Sequence, residues 1–168
     1  VELNTLGSFY FLEHCKNEKI EKIIYLSTAH VYGSPLIGKI NETMKTRATH
    51  PYSYSHSAVE DYIFEIHDKS DINAITVRLS NSLGAPIEKD VDRWMLLVSD
   101  LCLSAIRDKK LVLKSAGLQK RDFIGLEDVC LGIEHLIKLP KESSLDGVFN
   151  MGGKYSISVL EMARLVKE

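Results

Sequence analysis

Ile23-Ile24-Tyr25-Leu26-Ser27-Thr28-Ala29-His30-Val31-Tyr32-Gly33 is followed, across a polar stretch, by His50-Pro51-Tyr52-Ser53-Tyr54-Ser55-His56-Ser57-Ala58-Val59-Glu60. The first segment is an apolar run, Ile23 to Leu26, that ends abruptly in the hydroxyls of Ser27 and Thr28. Such a run suits a strand covered on both faces in a parallel sheet. The second segment opens an amphipathic helix, because Val59, Tyr62, Ile63 and Ile66 keep the three-to-four spacing of a buried stripe. Tyr52 and His56 stand four apart near its start, so a helix containing both puts them on one face. Open α/β sheets bind ligands outside the carboxyl ends of their strands. Hydroxyls ending a strand, and a tyrosine opening the next helix, therefore mark a candidate site.

Working outward, the chain of 168 residues is 45% hydrophobic and 26% charged, the composition of an ordinary globular domain with one good core. A net charge of -2 supplies no electrostatic reason to expect nucleic acid or an anionic membrane as partner. No apolar run approaches the ~18 residues of a membrane span, and no signal peptide is expected. Cys15, Cys102 and Cys130 lie far apart in apolar, helix-like stretches without C-x-x-C spacing. They read as small core residues in a reducing cytoplasm, and no metal site is expected.

Upstream, Val1 to Asn4 drop straight into a helical pattern, with Leu3, Leu6, Phe9, Tyr10 and Leu12 forming a stripe to about Lys16. Downstream, Ser34 to His50 is a polar crossing long enough to border a pocket. Ala74 to Leu79 reads as a β-branched, alternating strand. Asn81 falls just past its end, as a ligand contact or as a turn residue before Gly84. Val91 to Lys109 reads as a helix with Trp94, Leu97, Val98, Leu101 and Ala105 on one face; Trp94 and Met95 either pack or line a pocket. Leu111–Leu113 and Gln119–Ile124 flank Ser115-Ala116-Gly117 in a hairpin-like arrangement. Val129, Ile133, Leu136 and Ile137 make another buried helical stripe, closed by Pro140. Ser158 and Glu161 have capping-box spacing for a last helix.

Four segments together carry a resemblance. Ser27-Thr28-Ala29-His30-Val31-Tyr32-Gly33 with Pro51-Tyr52 to Glu60, then Arg78 to Pro86, Arg121-Asp122-Phe123-Ile124 to Asp128-Val129, and Gly147 to Gly153 stand in the order and spacing of known motifs. The chain resembles the extended short-chain dehydrogenase/reductase family of NAD(P)-dependent nucleotide-sugar epimerases, dehydratases and reductases. The resemblance places the catalytic tyrosine on Tyr52 and its hydroxyl partner on Thr28, and it puts His56 where the family carries lysine. It implies cofactor contacts from Asn4, Ser27, Tyr52, His56 and Ser80, with NAD or NADP as cofactor. It implies substrate contacts from Thr28, Ala29, His30, Asn81 and Arg121, with His30 as an acid/base or a pocket wall. A planar guanidinium such as Arg121 suits a diphosphate because it donates two parallel charge-assisted hydrogen bonds.

The implied fold is α/β: the C-terminal part of a Rossmann-like doubly wound parallel sheet plus a small α+β substrate-binding region. Residues 1–86 would be the later half of the NAD(P)-binding domain. Residues 87–168 would be mostly the substrate region, with Asp122–Pro140 and Gly147–Gly153 packing back on the Rossmann part. No glycine-rich phosphate loop precedes a strand, so the sequence is expected to be an internal fragment. A homodimer through the helices near Asn4 and Tyr52, a cytoplasmic location, and no nucleic acid or membrane partner are also expected.

The substitution at position 56 decides the chemistry. Oxidising a sugar hydroxyl needs a base, and a phenol of pKa ~10 is only ~0.1% ionised at pH 7. An ammonium ~5 Å away, at an effective dielectric of ~20, stabilises the phenolate by ~3 kcal/mol. An ordinary histidine is mostly neutral at pH 7 and supplies no such charge, although it still hydrogen-bonds a ribose. Two readings follow: an active nucleotide-sugar enzyme with a variant Tyr52/His56 site, or a catalytically weak relative that binds dinucleotide or nucleotide sugar as a sensor or scaffold. Other chemistries of the family, such as steroid or flavonoid reduction, stand behind these.

Overall fold

The apolar run Ile23–Leu26 does form a strand. The computed structural model describes residues 3–18, 20–88, 90–91, 94–144 and 146–167. In order, a π-helical turn (Leu3–Gly7) leads into α1 (Ser8–Asn17), β1 (Lys22–Thr28), a 3-10 turn (Ala29–Tyr32) and α2 (Pro51–Lys69). Then come β2 (Asn73–Leu79), β3 (Asn81–Leu83), α3 (Leu97–Arg107), β4 (Lys120–Gly125), α4 (Leu126–Lys138), β5 (Val148–Met151), β6 (Ser156–Ser158) and α5 (Val159–Lys167). Backbone contacts divide the chain into two compact units, Val1–Ser80 with Cys130–Met151 and Asn81–Val129 with Gly152–Glu168.

The first unit is built on a parallel sheet in the order β1-β2-β5. Side chains alternate across a strand, and the two faces of this sheet hold two separate cores. Leu12, Cys15, Ile23, Val59, Ile63, Ile66 and Ala74 pack between the sheet and helices α1 and α2. Ile75, Val77 and Leu136 form the core of the opposite face, with Ile24, Phe149 and Met151 against them. Helices on both faces of a parallel sheet are the doubly wound α/β arrangement expected. Each fully buried isoleucine, such as Ile63 or Ile75, contributes ~1.5–3 kcal/mol by leaving water.

Two strand expectations need correction. β2 is buried along its whole length from Asn73 to Arg78 instead of alternating, because it is the central strand of the three. β1 has one partner strand among the described residues, and Leu26 is 44% exposed, so coverage of both faces fails at that residue.

The start of α2 is fixed by local chemistry. Pro51 occupies the first turn, where a missing N–H costs nothing. The His50 ring accepts from the Tyr52 amide at 3.2 Å while Ser53 Oγ accepts from the His50 amide, a reciprocal cap. Tyr52 is thereby held in the first turn and His56 one turn later.

The second unit pairs β3 in parallel with β4 and β4 antiparallel with β6, an α+β arrangement. Leu101 of α3 and Met162 and Ala163 of α5 make its core, with Leu97, Val98, Phe123 and Ile157 packed around them. A Cβ at Gly153 would stand 1.9 Å from the Phe123 carbonyl oxygen, so the turn into β6 accepts glycine alone there. Ser158 and Glu161 form the expected cap: Glu161 Oε2 accepts from the Ser158 amide at 2.7 Å and Ser158 Oγ accepts from the Glu161 amide at 3.1 Å.

Here too the expectations differ in places. The helix read from Val91 begins at Leu97: Leu96 has an extended backbone (ψ 140°), and Trp94 and Met95 lie in a turn before it. Asp92 and Arg93 of that reading, like Val1 and Glu2 of the first helix, are outside the described residues. No hairpin forms over 111–124. The carbonyls of Gly117 and Gln119 accept instead from the amides of Leu160 and Val159 at the start of α5, and Leu111 and Leu113 join the core as loop residues. Cys15 is buried as expected, whereas Cys130 is exposed and Cys102 half-buried, since neither lies on its helix's most buried line. Ile137 is likewise exposed, turned away from the core that takes Leu136. Among the described residues no helix is long and apolar enough to cross a membrane.

Candidate active site

β1 and α2 meet along two stripes. On β1 the alternating residues Tyr25 and Ser27 face α2; on α2 the residues Tyr52, His56 and Glu60 recur every four. The contacts follow this register. Tyr25 Oη lies 2.8 Å from His56 Nδ1, and Ser27 Oγ donates to Glu60 Oε1. The Tyr52 and His56 rings stand edge-to-face with centroids 4.6 Å apart, and the Tyr25 and His56 rings are 5.8 Å apart. Tyr52 is 47% exposed, so its phenol is open to a ligand.

Thr28 is the last residue of β1 and is buried, with its Oγ1 accepting from the His30 amide at 3.3 Å as the cap of the 3-10 turn. That turn packs against α2, so Thr28 ends its strand at the helix that carries Tyr52. Ala29 is half-buried in the turn and His30 is exposed. Gly33, at φ 108°, closes the turn, and a Cβ there would come within 2.9 Å of the Arg47 carbonyl oxygen.

Deeper in, Glu60 and Arg78 form a buried ion pair. Arg78 Nη2 donates to Glu60 Oε2 at 2.8 Å and Nε to the same oxygen at 3.1 Å, with the two side chains 5% and 2% exposed. Burial works against the charge of Arg78, but hydrogen bonds to Glu60 and Tyr32 and their charges outweigh it, holding its pKa above the ordinary arginine value. Arg78 Nη1 also donates to Tyr32 Oη at 2.8 Å, and that hydroxyl donates to Asn150 Oδ1 at 2.8 Å. The Asn150 amide in turn donates to Glu42 Oε1 at 2.8 Å, which ties the polar crossing to β5.

These surroundings set protonation at the rim. Burial lowers the pKa of His56 below its ordinary value, so the imidazole is neutral at pH 7. Burial, the Glu60 carboxylate and Tyr52 push the Tyr25 phenol well above the ordinary tyrosine range, so it stays protonated.

Of the remaining candidates in the first unit, Asn4 sits in the π-helical turn, which packs against α2. Short π segments are rare and recur at functional sites. Ser80 follows β2, its amide donating to the Met151 carbonyl at 2.9 Å. Among the described residues Ser80 Oγ, Thr5 Oγ1 and Thr76 Oγ1, the last inside β2, are buried without a hydrogen-bond partner. In the second unit, Asn81 Nδ2 donates to the Asp122 carbonyl at 2.8 Å, and Arg121 is exposed without an ion pair among the described residues. The structure thus joins Tyr52 and His56 directly, with Thr28 at the adjoining strand end. Asn81 and Arg121 belong to the other unit.

Sequence reasoning missed Tyr25, Tyr32 and the Glu60–Arg78 pair as parts of this site. Tyr25 was hidden inside an apolar run; the signal was its two-residue spacing from Ser27. Glu60 carried one too, being a carboxylate flanked by the buried Val59 and Ile63.

Comparison with known proteins covers nearly the whole chain. Residues 1–152 match the model of the family described as "NAD dependent epimerase/dehydratase family". The dTDP-D-glucose 4,6-dehydratase of Dictyostelium discoideum is 28% identical over 178 residues, covering 98% of this chain and 39% of that protein. UDP-glucuronic acid 4-epimerase from Bacillus cereus, solved with UDP-glucuronic acid and NAD, superposes with a TM-score of 0.85 at 26% identity, over 98% of this chain and 50% of that one. dTDP-glucose 4,6-dehydratase from Bacillus anthracis str. Ames, solved with NAD, gives 0.83 at 25% identity, over 97% and 50%. The chain therefore spans half or less of the length of these relatives. With that match over most of its length, and with the parallel sheet it shares with these folds, this chain belongs to the NAD dependent epimerase/dehydratase family.

Proposed function

We propose that this chain is the later part of an NAD-dependent enzyme that transfers hydride at a carbon of a nucleotide sugar, with Tyr52 as acid/base and Thr28 beside it in proton handling. The observation that carries this reading is the exposed Tyr52, capped into the first turn of α2 and set edge-on against His56, which meets Tyr25 of β1. The relatives named above are dehydratases and an epimerase of nucleotide sugars, two of them solved with NAD. The buried, unpartnered hydroxyls of Thr5 and Ser80 fit a polar cofactor, because an unsatisfied buried hydroxyl costs ~1–3 kcal/mol until something pairs with it. Asn4, Ser80, Tyr52 and His56 would hold NAD; Ser27 would act through Glu60, to which its hydroxyl is committed. NAD, when bound, supplies the hydride acceptor. Tyr52 takes the proton of the sugar hydroxyl, Thr28 Oγ1 orients that hydroxyl, and His56 donates a hydrogen bond without carrying charge. Ala29, His30, Asn81 and Arg121 are assigned to the substrate, Arg121 to its diphosphate.

The open edge of β1 and exposed Leu26 support a division in which residues 1–86 belong to the NAD-binding domain, with further strands pairing along β1. Residues 87–168 would serve mainly the substrate. Leu3, Tyr10 and Phe11 are exposed apolar side chains on the first helices and support a homodimer there, while Phe9 and Tyr62 are already stacked on each other at 5.2 Å.

One observation favours a second reading. His56 is neutral, so it sets no positive charge beside the Tyr52 phenol, and a relative that binds NAD or a nucleotide sugar without turnover fits that site. Tyr52→Phe in the full-length protein separates the two. The enzymatic reading expects turnover of a sugar nucleotide to fall ~10³-fold with NAD binding retained. Ordinary turnover after Tyr52→Phe would end it. A wild type that binds NAD yet transfers no hydride from any sugar nucleotide supports the second.

A further inference from the structure

The lysine that the family motif leads one to expect after Tyr52 is replaced here by a neutral imidazole, and a neutral imidazole is ambiguous. One ring nitrogen donates and the other accepts, and which is which depends on the neighbours. His56 has one hydrogen-bonded neighbour of its own on the sheet, Tyr25, at 2.8 Å from Nδ1. We propose that Tyr25 is a positioning residue that donates its phenolic proton to His56 Nδ1, confines the ring proton to Nε2, and so makes His56 a dedicated hydrogen-bond donor to a ribose hydroxyl of the cofactor. The ribose assignment rests on the functional reading above.

The direction of the shared bond follows from the chemistry of the two groups. A phenol O–H is a far stronger acid than a neutral imidazole N–H, and an imidazole nitrogen is the better acceptor. With both groups neutral, O–H to Nδ1 is the favoured arrangement. The groups facing the pair agree. From α2 the Glu60 carboxylate lies one turn beyond His56, and it opposes ionisation of Tyr25. Arg78, from β2, is held by Glu60 and Tyr32. Tyr52 meets the imidazole with ring edge to face and takes no hydrogen bond from it. Nε2–H is then the imidazole's remaining polar group. A Lys in this place has three donors and needs no such partner; a His does.

The test uses nitrogen-15 correlation spectra of the His56 ring in the full-length protein at pH 7.5, assigned by the loss of its signals in His56→Gln. The proposal expects two widely separated ring-nitrogen shifts with the proton on Nε2. In Tyr25→Phe the two shifts should move toward each other as both tautomers become populated, and NAD affinity should weaken about three- to tenfold, the worth of one hydrogen bond. A proton on Nδ1, a doubly protonated ring, or a spectrum unchanged by Tyr25→Phe would overturn it. Should Tyr25→Phe fail to fold, the wild-type spectrum alone decides. A wild type with the expected ring signature that binds no NAD would overturn the ribose assignment and the functional reading together, leaving the Tyr25 hydrogen bond established.

Discussion

Two successive turns of α2 face the same strand and are built on opposite principles. At Glu60 the helix brings a full charge into the core, where Arg78 and Ser27 meet it and almost nothing is exposed. At His56 and Tyr52, nearer the surface, the helix presents uncharged rings, Tyr52 edge-to-face with His56 and His56 tilted against Tyr25. The charged turn is closed and fixed; the neutral turn is open and chemically adjustable. A buried pair resists change because removing one partner strands the other charge. A half-buried imidazole responds to its neighbours and to pH. Helix α2 thus keeps its fixed charges one turn beneath His56 and two beneath Tyr52, where they position it against β1 and β2.

That contrast can be broken most forcefully at its closed end. Glu60→Ala should cost ~3–5 kcal/mol of unfolding free energy, read by urea denaturation, because it leaves the Arg78 guanidinium buried and unpaired. Replacing Glu60 and Arg78 together by Met should recover most of that loss. A loss under ~1 kcal/mol for Glu60→Ala would mean that the pair is not buried as described.

At the open end, His56→Lys places a charge beside Tyr52. In the full-length protein the alkaline optimum expected of a poorly activated phenol should move toward acid by ~2 pH units, and turnover should be kept or raised. A profile unmoved by His56→Lys would show that Tyr52 is not the titrating base.

The smallest effect sharpens the comparison through stability. His56 has a lowered pKa in the folded state, so the unfolded chain binds the proton more readily. Its contribution is complete above the unfolded value of ~6.5 and declines as pH falls from there toward the lower folded value. Melting temperature should therefore drop slightly more between pH 7.5 and 5.5 in wild type than in His56→Gln. An equal drop in both would place the imidazole in water.

Much of this was legible in the sequence. A run of four apolar residues ending in two hydroxyls, a helix with Tyr52 and His56 on one face, and motifs in order gave the sheet, the helix and the family. The closed turn was less so. Glu60 and Arg78 were visible as motif residues, yet their pairing links a helix to a strand 18 positions on, and sequence periodicity carries no such register. Tyr25 was masked because aromatic rings count as apolar in a run, although one hydroxyl made it polar at its tip. In the second unit, apolar periodicity ran on past the helix start at Leu97, and the residues before α5 took the hydrogen bonds a hairpin would have used.

The joined contacts of Tyr32 have a consequence for how this protein could be diversified. Its hydroxyl is held between Arg78 and Asn150, and Asn150 in turn grips Glu42, so the turn after Thr28 is braced from the sheet and from the crossing. Sequence change is accommodated more readily in the exposed stretch from Ser34 to Ile37 than in the braced turn itself.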